Sequence, residues 1–177
     1  MNTYYLLGLF VGLFVGFLLI FSALKFTRTD RKRKLKYDER QIAAQGKAYK
    51  YGFFATLFAN VLYGIAESST NYLLMDPMAA MTICICIGVF VYAANGIWND
   101  AYFALNERPK SIVIIFLAIT VINLLPAINN IRHGKMIVNG TLQSSCCNLA
   151  CGLLILAVLL VIAVKHMMMK REEDEML

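Results

Sequence analysis

Residues 25–50, KFTRTDRKRKLKYDERQIAAQGKAYK, separate an apolar N-terminal run from the other apolar runs of the chain. This basic segment carries ten of the seventeen Lys and Arg residues. Charge of that density cannot enter the hydrocarbon of a bilayer, and basic loops beside spanning helices are retained in the cytoplasm. We therefore predict that the basic segment is cytoplasmic, and the orientation of every apolar run follows from it.

The composition is that of a membrane protein rather than a soluble domain. Of 177 residues, 59% are hydrophobic and 16% are charged, against about 45–50% and about 25% in soluble proteins. The net charge of +6 is concentrated beside apolar runs, which favours a bilayer with anionic headgroups over nucleic acid as a partner. The length supports one domain.

Five apolar runs approach or exceed the roughly 20 residues needed to cross hydrocarbon. They are residues 4–24, 51–74, 78–98, 112–130 and 146–164. Threading them in order places fifteen Lys and Arg on the side of the basic segment and two, Arg132 and Lys135, on the other. We predict an all-α, polytopic membrane helical bundle comprising residues 1–177, in the cell membrane, with its N-terminus outside and its C-terminus cytoplasmic.

The end of the basic segment has the pattern of an amphipathic helix. Leu35, Ile42 and Tyr49 are seven residues apart and share one face if residues 34–50 are helical. We predict a cytoplasmic basic helix lying on the inner leaflet, where basic side chains bind anionic headgroups or a partner. An alternative, that these charges only fix the topology, stays open. The candidate contacts are Arg31, Lys32, Arg33, Lys34, Asp38, Glu39 and Arg40.

Four short motifs resemble a known group of proteins. They are residues 37–41 (YDERQ), 46–54 (GKAYKYGFF), 97–102 (IWNDAY) and 105–110 (LNERPK). Together they resemble small multi-pass membrane proteins of Firmicutes that share a cytoplasmic DERQ signature at the start of a spanning helix. That group is mostly described as domains of unknown function, so the resemblance implies a bacterial membrane location and no particular activity.

The first apolar run contains a repeated small-residue motif. Gly8, Gly12 and Gly16 recur every four residues and therefore lie along one face of a helix. Such a face lets a second helix approach closely in lipid. We predict a helix-packing contact here, whose partner the sequence does not identify; the first run could also stand apart from a four-helix core.

Polar residues recur at helical spacing inside the predicted spans. They favour interhelical hydrogen bonds, but a polar transport path would use the same residues. Glu67 begins the polar run ESSTN, which favours a solvated carboxylate at the interface over one inside the membrane. The candidate polar intramembrane residues are Thr56, Asn60, Glu67, Asn95 and Asn123, with Thr120 joining them in a transport path.

Local signals also mark helix ends and a turn. Asp76 before Pro77 is typical of a helix start, with the aspartate as N-cap. The third helix is expected to continue past Asp100 toward Asn106. Pro126 should kink the fourth helix or free carbonyls, and Asn139-Gly140 indicates a tight turn of the kind that closes a small hairpin.

The sequence offers no catalytic, cofactor or metal site. HExxH, GxSxG, Walker A and dinucleotide-binding motifs are absent. The five cysteines cluster at the predicted outer ends of two spans, but their CxC and CCxxxC spacing lacks the CxxC of most thiol–disulfide enzymes. His166 stands beside three methionines without a second strong ligand for a soft metal. Cysteines as small packing residues are the simpler interpretation.

Three classes of function remain open. The preferred hypothesis is a non-enzymatic interaction or regulatory bundle that binds another membrane component. The predicted protein partner is another membrane protein or, in a homo-oligomer, a second copy. The first alternative is a small transporter or channel subunit with a polar path through the middle spans. The second is a membrane thiol–disulfide oxidoreductase.

Overall fold

The structure, a computed structural model, is mostly helical. It describes residues 36–70 and 72–175, together with seven helical positions between residues 11 and 22. The predicted first span and Arg31 to Lys34 therefore lie largely or wholly outside the described residues. The elements are α1 (Glu39–Ser68), α2 (Pro77–Trp98), α3 (Pro109–Arg132), β1 (Ile137–Val138), β2 (Thr141–Leu142), a 3₁₀ turn (Ser144–Cys146) and α4 (Cys147–Glu175).

Three of the described helices are long and apolar enough to cross a membrane. They are α2, α3 and the segment Ser144–Glu172, which combines the 3₁₀ turn with most of α4. These helices coincide with the predicted spans 78–98, 112–130 and 146–164. The all-helical membrane class predicted from composition is therefore supported, and α1 does not meet the same hydropathy criterion.

The bounds predicted for the second span were wrong. Residues 51–74 were expected to span after a separate amphipathic helix, but α1 is one continuous helix of 30 residues that ends at Ser68. It starts at Glu39 because Asp38 and Gln41 form a capping box, in which Gln41 N donates to Asp38 Oδ1 over 2.6 Å. No proline follows to interrupt it. Ser69 then donates its hydroxyl to Ile65 O at the other end.

The start of α2 is as predicted, but its end is not. Asp76 Oδ1 accepts a hydrogen bond from Met78 N over 2.8 Å, and Pro77 is the first helical residue. Instead of continuing toward Asn106, the helix ends at Trp98. Asp100 adopts a left-handed φ of 53°, which turns the chain so that Ala101 N reaches Gly96 O at 2.8 Å. This closure satisfies a terminal carbonyl that a longer helix would have paired internally.

A small hairpin joins α3 to α4, as the Asn139-Gly140 pair predicts. Asn139 and Gly140 have φ values of 51° and 80°, and Val138 pairs with Thr141 across the turn. Two positive φ values are the requirement of the type I′ turn. Leu142 also accepts from Asp76 N at 2.7 Å, so the hairpin is tied to the start of α2. We call this the hairpin end of the bundle.

The helices form a row in the order α1, α2, α4, α3. Helices α2 and α4 run in the same direction and keep one register along their seam. Thr82 contacts Cys147, the buried core joins Ala93 with Val158, and Asp100 pairs with Lys165; each pair is 65 positions apart in the sequence. A constant register between parallel helices keeps small and apolar side chains together through the core.

Helices α1 and α2 approach each other closely at two glycines. A methyl group on Gly88 would lie 1.7 Å from Thr56 Oγ1 and 2.8 Å from Gly52 O. One turn further along, the rings of Tyr49 and Tyr92 stack at 4.5 Å. The two antiparallel backbones meet here because neither glycine has a side chain, which is the contact that small residues provide between membrane helices.

Candidate functional site

A buried glutamine joins the start of α1 to the connection after α2. Gln41 is 5% exposed, and its Nε2 donates to Asp100 O at 2.8 Å and to Phe103 O at 3.2 Å. Gln45, one turn later, donates to Ala101 O at 2.9 Å. We call the two glutamines and these carbonyls the glutamine clamp. It satisfies backbone acceptors that the left-handed turn at Asp100 leaves outside any helix.

Two further ties hold the same end of the bundle. Lys36 O accepts from Leu105 N at 2.9 Å, and Lys36 N donates to Asn106 Oδ1 at the same distance. Lys165 on α4 donates to Trp98 O at 3.1 Å and lies 3.3 Å from Asp100 Oδ2. The residues before α1, the connection 99–108 and the middle of α4 thus form one unit, which we call the clamp end.

The clamp gives the four residues of the DERQ motif different tasks. Asp38 and Gln41 serve the capping box and the clamp, so they stabilise the fold. Glu39 and Arg40 are exposed, and within the described ranges neither side chain hydrogen bonds or forms an ion pair. Asp38, predicted as a headgroup or partner contact, is exposed and uses Oδ1 to cap the helix. The pair Glu39 and Arg40 is the part of the motif available to another molecule.

More charge extends from this pair along α1. Lys47 and Lys50 are exposed on the next three turns, and we call Glu39, Arg40, Lys47 and Lys50 the charged face. Ile42 is also exposed, at 58%. Residues 39–50 of the predicted amphipathic helix are therefore helical, with Ile42 exposed and Tyr49 stacked on Tyr92 of α2. Arg31, Lys32, Arg33 and Lys34 belong to the segment outside the described residues.

Tyr102, in the connection 99–108, has a raised pKa. Burial first, and the negative charge of Glu107 second, raise the pKa of Tyr102 to about 12. The ring packs edge-on to Phe103, with centroids 5.1 Å apart. The phenol is therefore neutral near pH 7 and contributes to the core.

The polar residues predicted inside the spans bond to their own helices. Thr56 donates to Gly52 O at 3.0 Å, Asn60 to Thr56 O at 2.8 Å and Asn123 to Ile119 O at 2.9 Å. Each bond joins residues four apart, so it holds a side chain against its own backbone.

These residues also lie on separate surfaces. Thr56 faces α2, and Asn123 faces α4, where its Cβ is 3.6 Å from a methyl position on Gly152. Asn60 is exposed, and Asn95 accepts from the Asn99 side chain. Of the predicted path residues, only Asn95 lines either of the two cavities described below. In the described part of a single chain they do not form one path.

Glu67 lies at the end of α1, one residue before its last position. One oxygen of its carboxylate, Oε2, is buried and has no hydrogen-bond partner among the described residues. The neighbouring Tyr63 hydroxyl donates to Met75 O at 3.3 Å. Glu67 therefore lies at a helix end, and the burial of Oε2 differs from the solvated carboxylate that the sequence favoured.

Three of the five cysteines, Cys86, Cys147 and Cys151, lie at the α2–α4 seam, whereas Cys84 is near Tyr63 of α1. All five are free. Cys147 Sγ lies 3.3 Å from Thr82 Oγ1, and one turn further the Cys86 and Cys151 thiols are within hydrogen-bonding reach. The described residues hold no group of three or more metal-ligating side chains. Sequence spacing could not reveal the Cys86–Cys151 pairing, because it depends on the register between two distant helices.

Two cavities open along this seam. The larger, about 480 Å³, is lined almost wholly by apolar atoms from α2, α4 and the hairpin, including Phe90, Leu142 and Leu154. The smaller, about 420 Å³, lies near Trp98 and Asn95. Neither brings together titratable groups that could act as acid and base, so the described residues present no catalytic geometry in them.

The predicted glycine face of the first span has no described neighbour. No described atom lies within 4 Å of a methyl position on Gly12 or Gly16, and Gly8 lies outside the described residues. The packing contact of this face stays a prediction. The close contact that the structure does show, between Gly52 and Gly88, was not predicted, because neither glycine belongs to a small-residue repeat like that of the first span.

Comparisons with known proteins add no relative: no family model, no curated protein and no solved structure matches the chain.

Proposed function

We propose that this protein is a non-enzymatic membrane bundle that binds another membrane component through the charged face at its clamp end. The observation that supports this most is the division of the DERQ motif. Asp38 caps the helix and Gln41 belongs to the buried clamp, and together they orient the other two residues, Glu39 and Arg40, toward solvent. A surface held by buried hydrogen bonds is suited to specific binding, because little conformational freedom is lost on association.

The proposed topology has five spans in a cell membrane, with α1 as the second. Helix α1 lies antiparallel along α2, as the pairs Tyr49–Tyr92 and Thr56–Gly88 require. Its outer surface is apolar over four turns, as a lipid-facing helix would be. The basic segment assigns the clamp end to the cytoplasm and the hairpin end to the outside. The exposed apolar residues are Phe53, Phe54, Leu57, Phe58, Val61, Leu62 and Ile65.

Anionic lipid is the general partner of this end, and a membrane protein is the specific one. The basic residues 25–35 join the described chain at Lys36, which is held to Asn106. Each basic residue near an anionic surface contributes about 1 kcal/mol of attraction. That attraction would hold the clamp end against the headgroups, while the acidic Glu39 gives the charged face a pattern that lipid alone does not match.

The transporter alternative has less support. A path needs its polar side chains around one cavity, whereas Thr56, Asn60 and Asn123 bond to their own backbones on different surfaces. The thiol enzyme alternative likewise lacks a CxxC pair with a nearby base.

Copurification tests the binding proposal. The tagged protein is extracted from its native membrane in mild detergent, and the proteins that accompany it are identified and quantified by mass spectrometry. A double variant, Glu39→Lys with Arg40→Glu, exchanges the two exposed charges without changing the net charge. We expect a stoichiometric partner that this variant loses while its melting temperature is unchanged.

The matched control exchanges an equally exposed pair on α4, Arg171→Glu with Glu172→Lys, and should keep the partner. A protein that purifies without any membrane or cytoplasmic partner would contradict the proposal. So would a partner that both exchanged variants retain equally.

A further inference from the structure

One polar side chain faces outward from the middle of a described helix. Among Asn, Gln, Ser and Thr in the described helices, Asn60 alone is both exposed and more than two turns from a helix end. Its depth follows from its neighbours, since Thr56 lies against Gly88 and Tyr63 reaches Met75. Asn60 is therefore level with the first three turns of α2, one of the helices long enough to cross a membrane.

The hydrogen-bonding capacity of Asn60 is only partly used. A carboxamide has two N–H donors and one oxygen that accepts. One N–H reaches Thr56 O at 2.8 Å, and within the described ranges the other N–H and the oxygen have no partner. Lipid tails can satisfy neither group. The open donor and acceptor therefore require a complementary pair of polar groups from another helix.

The chain's own first span does not offer such a pair. Its middle, residues 6–21, reads LLGLFVGLFVGFLLIF and contains no side chain that hydrogen bonds, and its polar side chains, Tyr4, Tyr5 and Ser22, stand near its two ends in the sequence. By contrast, a second copy of α1 offers one donor and one acceptor that match those of Asn60. Two copies with the same orientation in a membrane are related by an axis along its normal, so identical residues meet at the same depth.

The neighbourhood of Asn60 permits this approach. Gly64 follows one turn later on the same flank, and no described atom lies within 4 Å of its methyl position. A glycine beside a polar residue lets two backbones come close enough for the side chains to bond. Helix α1 is also the outermost helix of the row, packing chiefly on α2, so its other flank is unoccupied by the described helices.

We propose that the flank of α1 bearing Asn60 and Gly64 is a dimer interface, in which the Asn60 carboxamides of two copies donate to and accept from each other. The proposal rests on α1 crossing the membrane, as proposed above, and it identifies one membrane partner as a second copy. Both open groups of each carboxamide are then satisfied in a symmetric pair.

Energy transfer between labelled copies in lipid vesicles measures the association. Copies carrying donor or acceptor fluorophores on C-terminal tags are reconstituted together, and the transfer is followed as lipid dilutes the protein. We expect a dimer whose association constant falls about tenfold or more in Asn60→Leu. Asn60→Gln, which keeps one donor and one acceptor, should lose less.

The matched control is Asn148→Leu, which changes an exposed asparagine on α4 and should leave the dimer intact. Gly64→Cys gives a second readout. Oxidation in the membrane by copper phenanthroline should remove two hydrogens and form a disulfide between two copies, which the unaltered protein with its own five cysteines should not form.

Three results would overturn the proposal: a monomer at every lipid dilution, an Asn60→Leu variant that associates normally, or a Gly64→Cys thiol that does not cross-link. If α1 does not cross the membrane, a membrane-impermeant maleimide would label the Gly64→Cys thiol readily in intact vesicles. This result distinguishes a wrong topology from a wrong dimer interface. None of these measurements depends on the partner sought by copurification.

Discussion

Replacing Gly88 by alanine should separate α1 from α2 more effectively than any other single added methyl group. The new Cβ would lie 1.7 Å from Thr56 Oγ1 and 2.8 Å from Gly52 O. The hydroxyl can rotate away, but the carbonyl belongs to a helical backbone and cannot. Overpacking of this kind costs about 1–3 kcal/mol, and we expect the upper half of that range because backbone must move.

A second substitution shows whether the contact itself is responsible. Thr56→Ala removes the nearest clashing atom, so Thr56→Ala with Gly88→Ala should recover about 1 kcal/mol relative to the sum of the single changes. Recovery should stay incomplete, because Gly52 O remains at 2.8 Å. Gly46→Ala is the matched control on α1; nothing lies within 4 Å of its methyl position, and helix propensity predicts equal or slightly greater stability.

Reversible unfolding in mixed detergent and sodium dodecyl sulfate micelles gives these free energies. The single tryptophan, Trp98, lies at the clamp end and reports the transition by fluorescence. A Gly88→Ala variant within about 0.5 kcal/mol of the unaltered protein, a margin typical of surface changes, would refute the close packing. A double variant showing no coupling would refute the role given to Thr56.

Three further predictions concern the clamp end. Gln41→Ala leaves the carbonyls of Asp100 and Phe103 without their side-chain donor, so the free energy of unfolding should fall by about 2–3 kcal/mol. The control Glu39→Gln changes an exposed side chain and should leave this free energy unaltered. Equal values for the two variants would contradict the clamp. Asp100→Ala should destabilise by about 1 kcal/mol relative to Asp100→Gly, because a φ of 53° disfavours a Cβ; the same unfolding assay would show the opposite order if that turn were absent. Between pH 10 and about 12 the unfolded chain loses the Tyr102 proton while the folded protein keeps it, so the free energy of unfolding should fall as pH rises through this interval. Tyr102→Phe should reduce the slope of this free energy against pH. An unchanged slope would exclude Tyr102 as its source.

Local chemistry made several elements predictable from sequence. Asp76 before Pro77 identifies a helix start through an N-cap that needs only two neighbouring residues. Asn139-Gly140 identifies a turn because both residues tolerate positive φ. Apolar length located α2, α3 and most of α4 within a few residues. Each of these signals acts over a short stretch and does not depend on what packs against it.

The errors arose where distant parts of the chain decide the outcome. Helix α2 stops at Trp98 because the turn at Asp100 is held by Gln41 and Lys165, which are some sixty positions away in either direction. The separation of the candidate path residues has a related reason: periodicity places Thr56 and Asn60 near one stripe, but a stripe does not reveal which flank meets α2. Residue spacing predicts a helix, but which of its faces is buried depends on the helix that packs against it.

The parallel α2–α4 seam is fastened at both of its ends. At one end Leu142, just before α4, holds Asp76, just before α2; at the other Lys165 holds Asp100 and Trp98. A slip of one residue would move these groups about 1.5 Å, enough to strain both fastenings together. The two helices are therefore held in register at both ends. A displacement of the hairpin along the seam would also strain the contacts of Asp100, whose carbonyl accepts from Gln41.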